Sequence, residues 1–195
     1  IDTHISGANR LDCMHANTNP HIALMSESLA AHGLTAFLPT THSSAHEHLL
    51  AVVEALRDET ENEDLPGALP VGLHIDGPFI SLAKRGAHQE KYVRPIDLGQ
   101  AREVLETGRG KIMIFTLAPE LENATALVNM LRERNISPCM GHTIANQKQV
   151  MAAIEAGADR CLHLYNGMEP LQQRKVGLAA ISLINDGIWV ELIPD

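Results

Sequence analysis

The chain has 195 residues, 45% hydrophobic and 20% charged, enough for one domain with a sizeable core or for most of a larger one. A formal net charge of −9 without any basic cluster argues against nucleic acid as a partner. No apolar run is long enough to span a bilayer, no signal-peptide pattern is present, and three scattered cysteines (Cys13, Cys139, Cys161) fit the reduced, buried thiols of a cytoplasmic protein.

The chain opens on "IDTHISG", a strand stub, and residues 18–32 then place Ile22, Met25 and Leu29 at helical spacing, with Gly33 as C-cap. "TAFLPT" (35–40) predicts a short strand stopped by Pro39. A helix over 45–60 carries Leu49, Val52, Val53 and Leu56 on one face, takes Ser43 or Ser44 as its cap, and runs into the polar connector "DETENEDLPG". "LPVGLHID" (69–76) is the third strand, and a long insertion over 77–95 precedes a helix near 97–107. Loops of that length are usually functional or disordered. "KIMIFTLAPE" (111–120) predicts strand four and 123–134 a helix; "ISPCMGH" (136–142) predicts strand five, followed by a helix over 146–156 that Gly157 ends. "RCLHLYNGM" (160–168) is strand six, 177–185 a short helix, and "GIWVELIPD" strand seven.

Seven β/α alternations predict a parallel sheet, and their number favours a (β/α)8 barrel, represented by seven of its eight strands, over a doubly wound sheet. Both ends read as strands without a terminating element, which suggests a fragment. Unpaired edges on strands one and seven would leave the isolated chain poorly stable.

In a barrel the chemistry lies at the C-terminal ends of the strands. Here Asp2 and His4 end strand one, His74 and Asp76 strand three, His142 strand five, and His163 and Asn166 strand six. A lone histidine at such a place is more often a hydrogen-bonded core residue. Four strands ending in imidazole or carboxylate form a mixed oxygen and nitrogen set suited to a divalent ion such as Zn²⁺. Three protein ligands leave an open position for water, as hydrolysis requires.

"GLHIDGPF…KRGAH", "TLAPE", "MGHTIA" and "LHLYNGM" resemble, in order and spacing, the motifs of the N-acetylglucosamine-6-phosphate deacetylases of the amidohydrolase superfamily. The resemblance covers residues 1–195 and implies a partial catalytic barrel without the family's small β-sandwich. It implies a cytoplasmic, metal-dependent hydrolase of amino-sugar catabolism that removes acetate from an amino-sugar phosphate, homodimeric at full length. Carried over by position, the metal ligands are Asp76, His142 and His163, holding one Zn²⁺, with Fe, Co or Mn as other candidates. His88 matches a sugar contact, Asn166 and Gly167 match contacts to the phosphorylated end, and Arg174 matches a phosphate-binding arginine that can serve a neighbouring subunit.

Asp76 stands where the family usually has Glu, so either the metal sits closer to strand three or water fills the gap. His4-Ile5-Ser6 replaces the His-x-His of many members, leaving His4 and His74 for a weak second metal or for hydrogen bonds around the first. "NGM" replaces the commoner "NAM". The family's catalytic Asp, at the end of strand eight, is expected beyond Asp195, so these residues alone should be inactive. A dihydroorotase-like or dipeptidase-like amidohydrolase, or a non-catalytic barrel that binds a sugar phosphate, remain as alternatives. Against the first two, strand four has no lysine near its C-terminal end.

Among other conspicuous residues, His42, His46 and His48 in "THSSAHEH" read as a solvated helix start. Lys84, Arg85 and Gly86 read equally as a phosphate site or a loop rim, and Glu120 equally as a structural charge or a substrate contact.

Overall fold

A computed structural model of the chain describes residues 1–18, 21–62 and 64–194, so Asp195 and part of the predicted 18–32 helix and 58–67 connector lie outside the described residues. The backbone gathers into two compact units, Ile1–Asp76 with Gly99–Met113, and Gly77–Leu98 with the chain from Ile114 onward.

The first unit runs through β1 (Asp2–Ile5), a hairpin of β2 (Gly7–Ala8) and β3 (Leu11–Asp12), a 3-10 turn at Cys13–Thr18, α1 (His21–Ala31), β4 (Ala36–Thr41), α2 (His46–Glu59), β5 (Leu69–Pro70) and β6 (Leu73–Ile75), with nearly all of α3 (Leu98–Thr107). β4 is its central strand. It pairs in parallel with β1 (Asp2 opposite Phe37), with β5 (Ala36 opposite Leu69) and with β6 (Thr40 opposite His74). Every residue of β4 is buried, as expected of a parallel strand covered on both faces. α2 packs its predicted face of Leu49, Val52, Val53 and Leu56 against β4 and β6. α1 buries Ile22, Met25 and Leu29 and ends at Gly33 (φ +85°), where Leu34 N–H donates to the Leu29 carbonyl. The buried Arg57 donates to the Thr107 carbonyl (2.9 Å), joining α2 to the last turn of α3.

Three sequence expectations change here. The strand over 69–76 breaks at Val71–Gly72, because Val71 N–H still donates to Phe37 while Leu73 N–H donates to Lys111. The β2–β3 hairpin was not predicted. Its two turn residues, Asn9 and Arg10, both take positive φ (51° and 67°), the geometry usually marked by a glycine that this turn lacks. α2 has Ala45 as its N-cap without a side-chain bond, and Ser44 donates its hydroxyl to the Ala45 carbonyl, so neither serine caps the helix.

The second unit begins with the loop after Asp76, which holds 3-10 turns at Leu82–Lys84 and Glu90–Tyr92. It continues with β7 (Ile112–Leu117), whose first two residues belong to the first unit, α4 (Ala124–Arg132), β8 (Ser137–Met140), α5 (Gln147–Ala156), β9 (Arg160–Cys161), α6 (Leu178–Ile184) and β10 (Trp189–Val190). β7, β8, β9 and β10 are parallel in that order, with Thr116 opposite Cys139, Met140 opposite Cys161, and Val190 opposite Cys161. The later strands are much shorter than predicted, so His142 and His163 sit in the turns beyond β8 and β9. α4 buries Leu127, Val128 and Leu131, and the Phe79 and Phe115 rings stack at 6.1 Å. α5 is closed at both ends: Asn146 and Gln149 form a reciprocal capping box, and Gly157 (φ +115°) ends the helix. Among the described residues, no helix is long and apolar enough to cross a membrane.

All three cysteines are free and buried. Burial pushes the thiol of Cys13 up to about 12 and that of Cys161 up to about 11, so both stay protonated and unreactive at neutral pH. A thiol reagent at pH 8 should label none of the three in the native protein and all three after denaturation; native labelling would contradict the packing. Asn146→Ala should lower stability by about 1 kcal/mol in denaturant titration, through loss of the α5 cap.

Candidate metal centre

The first unit gathers His4, His42, His74 and Asp76 near the C-terminal ends of β1, β4 and β6. His74 is fully buried, and its Nδ1–H donates to the Thr3 carbonyl (3.0 Å), which leaves Nε2 as the lone-pair nitrogen. Its ring lies 4.9 Å from that of His4, whose Nε2 is 3.7 Å from Asp76 Oδ2. Asp76 is 2% exposed, so its carboxylate needs nearby positive charge or hydrogen bonds. His42 offers a ring nitrogen within 4.8 Å of an Asp76 oxygen. The reading of His42 as part of a solvated helix start is therefore corrected: it is half-buried directly after β4, while His46, one helical turn on, pairs with Glu103 at 2.7 Å. The misleading signal was the density of histidines in "THSSAHEH"; the useful one was position, since His42 is the first residue after a strand.

The second unit gathers His88, His142 and His163. His142 and His163 have positive φ (45° and 22°), a conformation uncommon for residues with a Cβ. Each has its Nδ1 against a carbonyl, His142 against Lys84 (2.7 Å) and His163 against Asn166 (3.1 Å). A carbonyl only accepts, so both Nδ1 atoms carry the proton, and in the neutral rings both Nε2 atoms carry a lone pair. Those two Nε2 atoms face each other at 3.2 Å. Facing lone pairs repel unless a cation or a proton lies between them. Two imidazoles on one tetrahedral ion, each at about 2.0–2.1 Å, have their nitrogens about 3.3–3.4 Å apart, so the pair fits a divalent metal. The His88 ring, 5% exposed, packs edge-on to His142 at 4.8 Å.

Other predicted residues fall around this pair. Gly167 (φ +57°) accepts the Thr143 N–H through its carbonyl at 2.9 Å, and a Cβ there would stand 2.9 Å from His142 Nδ1. The glycine of "NGM" therefore brings backbone against the imidazole, beyond freeing the chain locally. The Asn166 side chain is exposed, and the Asn166 backbone carbonyl orients His163. Arg174 is exposed along a cleft of about 820 Å³ shared with Lys148 and Lys175. The Lys84 ammonium pairs with Glu169 at 2.9 Å and holds that carboxyl below the usual range. Glu120 bonds Thr143 and Ile144, next to His142.

No protein-family model matches the chain. It is 35% identical over 197 residues to the N-acetylglucosamine-6-phosphate deacetylase of Bacillus subtilis (strain 168), covering 100% of this chain and 50% of that protein. It is 30% identical to the N-acetylgalactosamine-6-phosphate deacetylase of Escherichia coli O157:H7, covering 100% of this chain and 51% of that protein. Among solved structures, a mutant N-acetyl-D-glucosamine-6-phosphate deacetylase from Mycobacterium smegmatis, in complex with N-acetyl-D-glucosamine-6-phosphate, matches with TM-score 0.89 and 31% identity over 98% of this chain and 49% of its own. The N-acetylglucosamine-6-phosphate deacetylase from Thermotoga maritima matches with TM-score 0.86 and 33% identity over 98% and 50%. The fold is thus that of an incomplete (β/α)8 barrel. The chain spans about half the length of the curated relatives it matches. By sequence and by fold, the chain is similar to about half of an N-acetylglucosamine-6-phosphate deacetylase.

Proposed function

We propose that the whole protein hydrolyses N-acetylglucosamine 6-phosphate to glucosamine 6-phosphate and acetate, with residues 1–195 as one partial catalytic barrel. The observation that carries this reading is the His142–His163 pair, whose Nε2 lone pairs converge at 3.2 Å. With a carboxylate oxygen as a further donor, the pair would hold one divalent ion, Zn²⁺ by the nitrogen-rich donor set. A bound ion of that kind supplies Lewis acidity toward an amide carbonyl and lowers the pKa of water. The chain's own groups do the positioning. Lys84 and Asn166 carbonyls keep both imidazoles in the Nδ1–H tautomer, so each presents a lone pair without a competing proton. His88, ring against ring with His142, is assigned to a sugar hydroxyl beside the reacting amide.

His4 and His74 serve Asp76 through hydrogen bonding, or form a weaker second metal position. Asn166, Gly167 and Arg174 are assigned to the phosphorylated end of the substrate. Supporting that role, Arg174 shares its cleft with two lysines, and a guanidinium offers phosphate a planar fork. Proton transfer is assigned to a carboxylate outside residues 1–195. A cytoplasmic homodimer completes the reading. A cyclic-amide hydrolase is disfavoured because β7 (Ile112–Leu117) carries no lysine.

Metal analysis of the purified full-length protein tests the assignment. We expect about one ion per chain, lost in His142→Ala and in His163→Ala, together with acetate release from N-acetylglucosamine 6-phosphate. Unchanged metal content in either variant would refute the ligand set, and metal binding without acetate release would leave a binding barrel in place of a deacetylase.

A further inference from the structure

The mechanism above leaves Glu120 unused, yet this carboxylate is committed on both oxygens. Oε1 accepts the Ile144 N–H at 2.8 Å, and Oε2 accepts the hydroxyl of Thr143. Thr143 passes the connection on in two directions. Its hydroxyl oxygen accepts the Ala145 N–H at 2.8 Å, and its own N–H donates to the Gly167 carbonyl at 2.9 Å. Glu120 stands three residues beyond β7, Thr143 directly follows His142, and Gly167 closes the turn in which Asn166 orients His163. One carboxylate is thereby joined, through one buried threonine, to the backbone on either side of the imidazole pair.

The backbone geometry explains why such a clamp is needed. His142 holds φ at +45° and His163 at +22°, conformations that L residues keep only when surrounding bonds over-determine them. Without Glu120, the N–H of Ile144 and the hydroxyl of Thr143 would lose their acceptor, and the turn carrying His142 could relax toward ordinary dihedrals. The Nε2 atoms would then separate from their 3.2 Å approach. A hydrophobic stretch cannot replace this, because two separate donors must be met by two oxygens fixed in one plane.

We infer that Glu120 is a positioning residue, acting through Thr143, that sets the His142–His163 geometry and hence the affinity for metal. The inference rests on the reading of those histidines as metal ligands, so its test must separate the two. Full-length protein loaded with Zn²⁺ is titrated with a competing chelator, and Co²⁺-substituted protein gives the visible absorption spectrum of the site. Glu120→Ala should bind Zn²⁺ about 10- to 100-fold more weakly, with an altered Co²⁺ spectrum, as for other groups that orient metal ligands. Glu120→Gln, which keeps one oxygen for the Ile144 N–H but no acceptor for the Thr143 hydroxyl, should lose less than Glu120→Ala. Thr143→Val should weaken binding similarly, and the Glu120→Ala, Thr143→Val double variant should lose little beyond either single change. If Glu120→Ala fails to fold, Thr143→Val and Glu120→Gln decide the question. Wild-type affinity and spectrum in Thr143→Val and in every folded Glu120 variant, while His142→Ala loses metal, would overturn the inference alone. Full metal retention by His142→Ala would instead overturn the ligand reading and the inference with it.

Discussion

Two imidazole nitrogens held 3.2 Å apart with their lone pairs facing are the constraint on which the second unit depends. Such an arrangement does not arise from packing, since two like-polarised atoms gain nothing by approaching. It exists because the opposite side of each ring is anchored: a carbonyl from the loop after Asp76 holds His142, and a carbonyl from its own turn holds His163. Tautomer, ring orientation and spacing are thus fixed by backbone groups, which move less than side chains.

The surrounding structure follows from that requirement. β8 and β9 stop two residues short of their histidines, so each imidazole sits in a turn with positive φ and is not confined to the alternating faces of a strand. The loop after Asp76 is long because it must bring Lys84 and His88 to His142, and Ser81 N–H donates to the His142 carbonyl at 2.8 Å. Lys84 is itself held by Glu169, from the segment beyond His163.

The first unit applies the same rule with a different donor set. A nearly buried carboxylate, Asp76, is accompanied by His4, His42 and His74, with His74 fixed in one tautomer by the Thr3 carbonyl. Aspartate, one methylene shorter than glutamate, keeps its charge close to β6, and the clustered imidazoles are suited to meet it there. Relatives about twice the length of this chain align with all of it at 30–35% identity.

The sequence by itself determined the alternation of parallel strands and helices, the buried faces of α1 and α2, the caps at Gly33 and Gly157, and the strand-end positions of Asp76, His142 and His163. These are local or periodic properties, legible because helix and strand repeats and glycine conformations are written in neighbouring residues. Only the tertiary structure decided that His42 belongs with Asp76, that Lys84 is paired with Glu169, and that Glu120 holds the turn after His142. Each of those facts joins residues at least 20 positions apart in the chain. The strand lengths were also beyond the sequence, because hydrogen-bonded pairing stops where a neighbouring strand stops, and no residue records its neighbour's end. Lone pairs, tautomers and the 3.2 Å approach belong to the same class: they depend on which carbonyl lies behind each ring, and folding alone brings those carbonyls there.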